Sequence, residues 1–410
     1  MDSYEPSFEP FRIKAVEPLG FTTRVEREAI LREARWDVSL LPAEKVLIDL
    51  LTGSGAPMPA APGSRGVDAF ERAVRDLTGL RRVVPAPQGR AAERALFKIA
   101  GGPGKVFLSN GFSVSARASI AAAGSEALDV PVLDALDPSL AAPFKGDIEP
   151  LALEIKLRDL GSRAAMIVMT LTNDALGGQP ASLANLQAAR EVSRHHKIPL
   201  FLDASRCPEN AWFIKRRELG HGARSAADIA RELFSNCDGA WMSASRGGLA
   251  AAGGFLALND GTWAARAKEE LVSCEGLDLG SLAAGLEEAF DERRLSHRVA
   301  SVERFAERLR AAGVPLVEPV GGHVVCVDAG RLLKHLPAES RPAAALAVEI
   351  YLEGGVRSAA VSAPGREWVG LAIPPRAYTE SHLAHASAVV VAVAARAGAV
   401  RGRLEPEFAA

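Results

Sequence analysis

The sequence predicts an α/β protein: a large domain built on a mostly parallel sheet, joined to a smaller α+β domain. Three observations predict this. Short apolar runs alternate with amphipathic helical stretches through the middle of the chain, as strands and crossover helices do. After Asp260 that alternation gives way to a long helical region and a few late strands. At 410 residues the chain is long enough for one large domain and a smaller one.

The elements follow in order. Gly53–Gly66, rich in Pro, Gly and Ala, reads as an exposed loop. Arg90–Ile99, Leu183–His195 and Ala226–Phe234 carry apolar residues at three- and four-residue spacing and are expected to be helices. Lys105–Leu108, Ala165–Thr170, Pro199–Asp203, Gly239–Ser243 and Gly254–Leu258 read as buried strands. Trp263–Ala312 reads as helical with a break near Gly276–Gly280, followed by a strand at Val324–Asp328, a helix at Ala343–Leu352 and a final strand–turn–helix. The large domain is placed at residues 45–290 and the small one at 1–44 plus 291–410.

Composition narrows the classes. A hydrophobic share of 48%, a charged share of 24% and a net charge of −2 fit a soluble globular protein and give no electrostatic reason to expect nucleic acid or an anionic membrane as partner. Cys207, Cys237, Cys274 and Cys326 are scattered, with no metal-ligand spacing, so free thiols and no metal are expected. The start Met1–Pro6 lacks the basic and apolar stretches of a signal peptide, and the Ala/Val-rich stretch at 386–400 suits a packed helix, so a cytoplasmic location is expected.

Three groups of residues suggest chemistry. Asp203 ends a strongly apolar strand, where doubly wound sheets bind ligands; a carboxylate there can pair with a protonated ring nitrogen, or simply cap the following helix. Gln88-Gly89-Arg90 precedes a helix, and a glycine at such an entrance exposes backbone N–H groups to a phosphate, though turns of this kind are common. Phe112 follows Leu108-Ser109-Asn110-Gly111 and suits stacking on a planar ring or plain core packing.

Ordered strings along the whole chain carry a specific resemblance. They are EPFRIK (9–14), IDLLTGSG (48–55), PQGRAAE (87–93), FKGDI (144–148), GGQPASLAN (177–185), FLDASRCPENAWFIK (201–215), GGFLALND (253–260), VPLVEPVGGH (314–323) and IPPRAYT (373–379). Together they resemble the tryptophanase / tyrosine phenol-lyase family of aromatic amino acid β-eliminating lyases. The resemblance implies a PLP-dependent transferase-like fold of type I, aspartate aminotransferase-like, with a large α/β and a small α+β domain. It also implies an oligomer, a homodimer or homotetramer, acting on a small-molecule substrate.

Residue by residue, Gln88, Gly89 and Arg90 match the family's phosphate loop and Ser243 a phosphate-side serine. Phe112 matches the aromatic on the pyridine ring, Asp203 the carboxylate at its nitrogen and Arg206 the arginine near its hydroxyl. Thr52 and Ser54 match a loop by the amino-acid end of the substrate. The departures matter as much. Where the family reads Met-Ser-Gly-Lys-Lys-Asp this chain reads Met242-Ser243-Ala244-Ser245-Arg246-Gly247, so Arg246 stands at the Schiff-base lysine. An arginine stays protonated and offers no free amine. Asp174, or Asn173 with a shift of one, stands at the family asparagine, and Pro375-Arg376 at an Arg-Arg pair, leaving Arg376 as the candidate carboxylate clamp. The loop expected to bring the acid tyrosine has none, since the tyrosines are Tyr4, Tyr351 and Tyr378.

These changes leave several readings. The first is an enzyme on an amino acid or related small anion, with Arg246, Asp203 and Arg206 as candidate catalytic residues and pyridoxal phosphate (PLP) or pyridoxamine phosphate held noncovalently, or no cofactor. In its cofactor-free form Arg246, Arg206 and Arg90 make a cationic pocket. The second is a noncatalytic binding or scaffold protein, whose sign is Arg246 salt-bridged to Asp203 or Asp174 so as to close the pocket. A third recruits another lysine, among them Lys14, Lys45, Lys98, Lys105, Lys145 and Lys215, none of which is on the expected strand. The altered substrate contacts go with the altered lysine, which favours the first reading over scattered decay.

Overall fold

The computed structural model describes residues 19–52, 66–246, 250, 252–271, 277–363 and 365–402. Ser54, Cys274, Lys14 and most of the Gly53–Gly66 loop lie outside them. Thr23 opens α1 (Arg24–Glu33) with a capping box: its hydroxyl accepts the Glu26 N–H, and the Glu26 carboxylate accepts the Thr23 N–H at 2.7 Å. A two-residue strand follows, β1 (Ile48–Asp49). The chain then divides into two units, Ser54–Ser296 and the pair Met1–Gly53 with His297–Ala410.

The larger unit runs α2 (Gly66–Thr78), β2 (Arg82–Ala86), α3 (Gly89–Ala100), β3 (Val106–Ser109), α4 (Val114–Ala122), β4 (Glu126–Asp129), α5 (Pro150–Leu160) and β5 (Ala164–Thr170). It continues through α6 (Leu183–His196), β6 (Leu200–Asp203), α7 (Cys207–Arg217), α8 (Ala226–Ser235), β7 (Gly239–Ser243), β8 (Gly254–Leu258), α9 (Gly261–Glu270) and α10 (Leu279–Ala289). Ser113, Ser182, Ser225 and Asp260 each accept a first-turn N–H at the start of α4, α6, α8 and α9.

Seven strands form one sheet in the order β2-β8-β7-β6-β5-β3-β4. Pairing is parallel from β7 through to β4, and β8 runs against both of its neighbours. The central strands are buried along their length, which explains their unbroken apolar runs. Phe97 anchors the core, its ring edge-on to Phe107 at 5.0 Å and to Trp241 at 5.9 Å. β2 is a strand that the sequence reading did not anticipate. Pro85 disguises it, because proline donates no N–H; the strand is tolerated at the sheet edge, where it pairs only with β8.

The second unit adds α11 (Glu292–Ala311), which contains the cut at residue 296, then β9 (Val324–Asp328), α12 (Ala329–Leu332), α13 (Pro342–Gly354), β10 (Val356–Arg357), β11 (Ala359–Ala363), β12 (Arg366–Ala372) and α14 (Glu380–Ala395). β11, β12 and β9 form an antiparallel sheet, and β1 pairs in parallel with β10. Tyr351 is fully buried and its hydroxyl donates to the Lys45 carbonyl at 2.8 Å. Among the described residues no helix is long and apolar enough to cross a membrane. Cys207, Cys237 and Cys326 are free thiols, all buried.

One buried carboxyl gives this fold a pH dependence. Asp147 accepts the Ser182 N–H and hydroxyl at the start of α6, yet burial pushes its carboxyl up to about 7 from the ordinary aspartate range. The folded chain therefore binds a proton that the unfolded chain has released, so stability falls as pH rises from about 4 to about 7. Denaturant unfolding at pH 5.5 and pH 8 is expected to show this decline, on the order of a few kcal/mol, and Asp147→Asn to make it shallower. Equal slopes in both proteins would reject Asp147 as the cause.

Candidate active site at the carboxyl ends of the sheet

The site grows from the ends of β5, β6 and β7 and the start of α3. Asp203 closes β6, and one carboxylate oxygen accepts both the Ser205 N–H at 3.1 Å and the Ser205 hydroxyl at 2.7 Å. Asp203 does not cap the next helix: α7 starts after Arg206, three residues on, without a side-chain cap. The Ser205 hydroxyl also accepts the Ser243 N–H at 3.2 Å, tying the ends of β6 and β7 together. Ser205 was not singled out from the sequence, although an aspartate with a serine two residues on is an Asx-turn signal.

Gly89 supplies the second wall. A Cβ there would lie 2.5 Å from Ser243 Cβ and 2.7 Å from Ser243 Cα, so only glycine lets the first turn of α3 sit on the end of β7. Gln88 precedes that turn with no side-chain cap, and Arg90 is exposed beside it. Such an uncapped, glycine-led helix start next to Ser243 has the shape and polarity that a phosphate needs.

Phe112 is buried with its ring edge-on to Phe97 at 6.4 Å. Its backbone N–H donates to Asp129 at 3.0 Å, and Asn173 donates to the preceding Gly111 carbonyl at 2.9 Å. Asn173 itself is buried, and its side-chain oxygen accepts the Ala175 N–H. Thr172, one residue earlier, has φ of 52°. A β-branched residue in that region is strained by about 1–3 kcal/mol, and Asn210 of α7 holds it there by accepting the Thr172 N–H at 3.0 Å.

That loop presents Asp174 to Arg246, and the two are ion-paired at 2.8 Å with side chains 39% and 30% exposed. Arg206 is buried, donates to the Arg246 carbonyl and lies 3.7 Å from Glu209. Burial pushes the Asp203 carboxyl upward, against the opposing pull of Arg246 and Ser205. For Arg246, burial favours the neutral form, but Asp174, Asp203 and Glu93 outweigh it and hold the guanidinium charged.

Glu93 is the residue that the sequence reading passed over. It lies on α3 one turn beyond Gly89, is 7% exposed, and its Oε1 has no hydrogen-bond partner among the described residues. Its visible signal was a lone carboxylate on a helix face otherwise made of Ala92, Leu96 and Phe97.

Thr52 and Arg376 belong to the second unit; Arg376 sits in a turn with φ of 62°, four residues after Ala372, whose N–H donates to the Leu50 carbonyl. The alternative lysines of the larger unit are engaged: Lys98 with Glu270, Lys105 with the Ser162 carbonyl, Lys145 with the Asp137 and Leu140 carbonyls, and Lys215 with Glu292. Glu154, in the middle of α5, and His195 and His196, at the end of α6, bring ligand atoms within 4.8 Å of one another, and His196 and Glu154 already hydrogen-bond at 2.7 Å.

A mostly parallel seven-stranded sheet with a charged cluster at its strand ends in one unit, and a three-stranded antiparallel sheet in the other, are the parts of the fold type I PLP-dependent enzymes. Aspartate aminotransferase from Thermus thermophilus, solved with maleate, superimposes with a TM-score of 0.59 at 19% identity, over 92% of this chain and 97% of that one. The beta-eliminating lyase family model matches residues 60–389, and the chain belongs to that family. It is 42% identical to a tryptophanase from Salinibacter ruber, over 96% of this chain and 91% of the relative. It is 39% identical to a tyrosine phenol-lyase from Intrasporangium calvum, over the same shares.

Proposed function

We propose that this chain is a lysine-less member of the family that takes up PLP or pyridoxamine phosphate noncovalently and has lost the ordinary β-elimination of tryptophan or tyrosine. The observation that carries the reading is the Arg246–Asp174 pair at the position of the Schiff-base lysine, beside a retained phosphate cradle and ring-nitrogen carboxylate. The residues present fit the cofactor's phosphate and ring, through Gly89, Arg90, Ser243 and Asp203. They do not fit its covalent attachment, because no residue from Trp241 to Arg246 carries an amine. When bound, such a cofactor supplies an electron sink. Asp203 would favour the protonated ring, Ser205 would hold that carboxylate in place, and Phe112 would bound the ring's face.

Charge also weighs against a cofactor-free anion pocket. Arg246 and Arg206 already face Asp174 and Glu209, which leaves Arg90 to meet a phosphate. The same Arg246–Asp174 pair supports binding without turnover, but its partial exposure is not that of a sealed pocket. Altered, lysine-independent catalysis is the second reading, and Glu93 favours it as a buried acid beside Asp203 and Arg246.

The deciding experiment is an absorbance spectrum of the pure protein with added PLP, followed by borohydride reduction and mass spectrometry. A perturbed spectrum with no adduct on any lysine is expected. A reduced adduct would overturn the noncovalent reading, and an unperturbed spectrum would overturn cofactor binding itself.

A further inference from the structure

We infer that Glu93 holds the exchangeable proton of this site, taking over the one part of the missing lysine's role that a permanently charged arginine cannot play. This rests on the proposed noncovalent reading for its functional meaning, but the residue's behaviour is testable without any ligand.

The geometry comes first. Gly89, Glu93 and Phe97 are spaced by four along α3 and so share one face. That face is the one pinned to the end of β7, since Gly89 sits against Ser243, three residues before Arg246. Glu93 is thereby carried into the interior next to the charged cluster. Its buried Oε1 accepts no hydrogen bond among the described residues, an arrangement that is costly for a carboxylate and far cheaper for a neutral carboxyl.

The surrounding charges set how firmly that proton is held. Burial and the Asp203 carboxylate favour the protonated form; Arg246, Arg90 and Arg94 favour the ionised one. The balance puts the Glu93 carboxyl at about 7, where a group releases and recovers a proton with little cost in either direction. Arg246 and Arg206 stay charged throughout and cannot do this. In the ligand-free chain the exchange is simple: the Glu93 carboxyl loses its proton to water and regains it. With a ligand present, the proton would pass between Glu93 and a basic atom of that ligand.

Infrared titration of the ligand-free protein tests this. In wild type the Glu93 and Asp147 carboxyls should both titrate near neutrality, because each is pushed up to about 7. Glu93→Gln should remove one of them and Asp147→Asn the other. Asp203→Asn should move the Glu93 midpoint down by about one pH unit, and Arg246→Met should move it up. These two shifts test native Glu93 directly, should Glu93→Gln fold poorly. A Glu93 signal in the ordinary glutamate range, or a midpoint indifferent to Asp203→Asn, overturns the inference.

The ligand arm uses pyridoxamine phosphate. Its affinity for wild type should change severalfold across pH 6–8, and by clearly less for Glu93→Gln, where only the ligand's own ionisation is left. The same pH dependence in both proteins also overturns the inference. Failure of wild type to bind pyridoxamine phosphate at any pH would instead count against the proposed function, and the infrared titration would still decide Glu93.

Discussion

Arg246→Lys is expected to create a borohydride-stable PLP adduct at residue 246, where wild type gives none. The substitution returns an amine to the strand end beside Asp203 and Ser243, and a lysine pKa, unlike that of arginine, moves readily with its surroundings. Burial would push the new ammonium toward its neutral, reactive form, whereas Asp174 at this position would hold it charged. Arg246→Lys combined with Asp174→Asn should therefore label more completely than Arg246→Lys alone. PLP affinity should rise at least tenfold, about 1.4 kcal/mol, once a covalent linkage is available. Mass spectrometry of the reduced protein reads the adduct. Unlabelled Arg246→Lys protein that still folds would show that residue 246 does not face the cofactor.

Gly89→Ala carries the second large effect. The added methyl meets Ser243 at its Cβ, its Cα and its backbone nitrogen, at 2.5, 2.7 and 2.9 Å, so no side-chain rotation relieves the clash. Either the first turn of α3 or the end of β7 must move. The cost to stability is about 1–3 kcal/mol, as for other overpacked positions. Phosphate binding should suffer more than stability does, because the shift opens the very turn that would hold the phosphate; pyridoxamine phosphate affinity is expected to fall at least tenfold. Gly261→Ala is the matched control: its Cβ would meet nothing within 4 Å, and no change is expected. Denaturant unfolding and a binding isotherm on both variants check the pair. Equal behaviour of Gly89→Ala and Gly261→Ala would remove Gly89 from the cradle.

Much of the fold was legible in the residues. β5, β6, β7 and β8 are buried through the sheet, and burial on both faces leaves an unbroken apolar run that reads directly. α3, α6 and α8 kept their helical spacing because each packs one face and wets the other. β2 was hidden, since its proline breaks the pattern of a strand and only its edge position makes that harmless. The reversed direction of β8 was hidden too, because an apolar run looks the same in either direction.

The site divides along the same line. Asp203 and the Gln88–Arg90 turn stood out as candidates because their motifs are short and continuous, while Arg206, Ser243 and Arg246 stood out through the resemblance. What that arginine does was not visible. It pairs with Asp174, 72 residues away in sequence, on a loop whose strained Thr172 is held by Asn210. Glu93 stood in the sequence only as the last residue of PQGRAAE, and the packing of Gly89 on Ser243 carries it into the interior.

The sequence by itself thus determined the family, the central buried strands with the helices between them, and the absence of an amine at residue 246. Only the tertiary structure decided which carboxylates answer Arg246 and where a proton can rest. The reason is physical. Hydrophobic periodicity is a local property of the chain, whereas desolvation and charge act through space, between residues that only folding brings together.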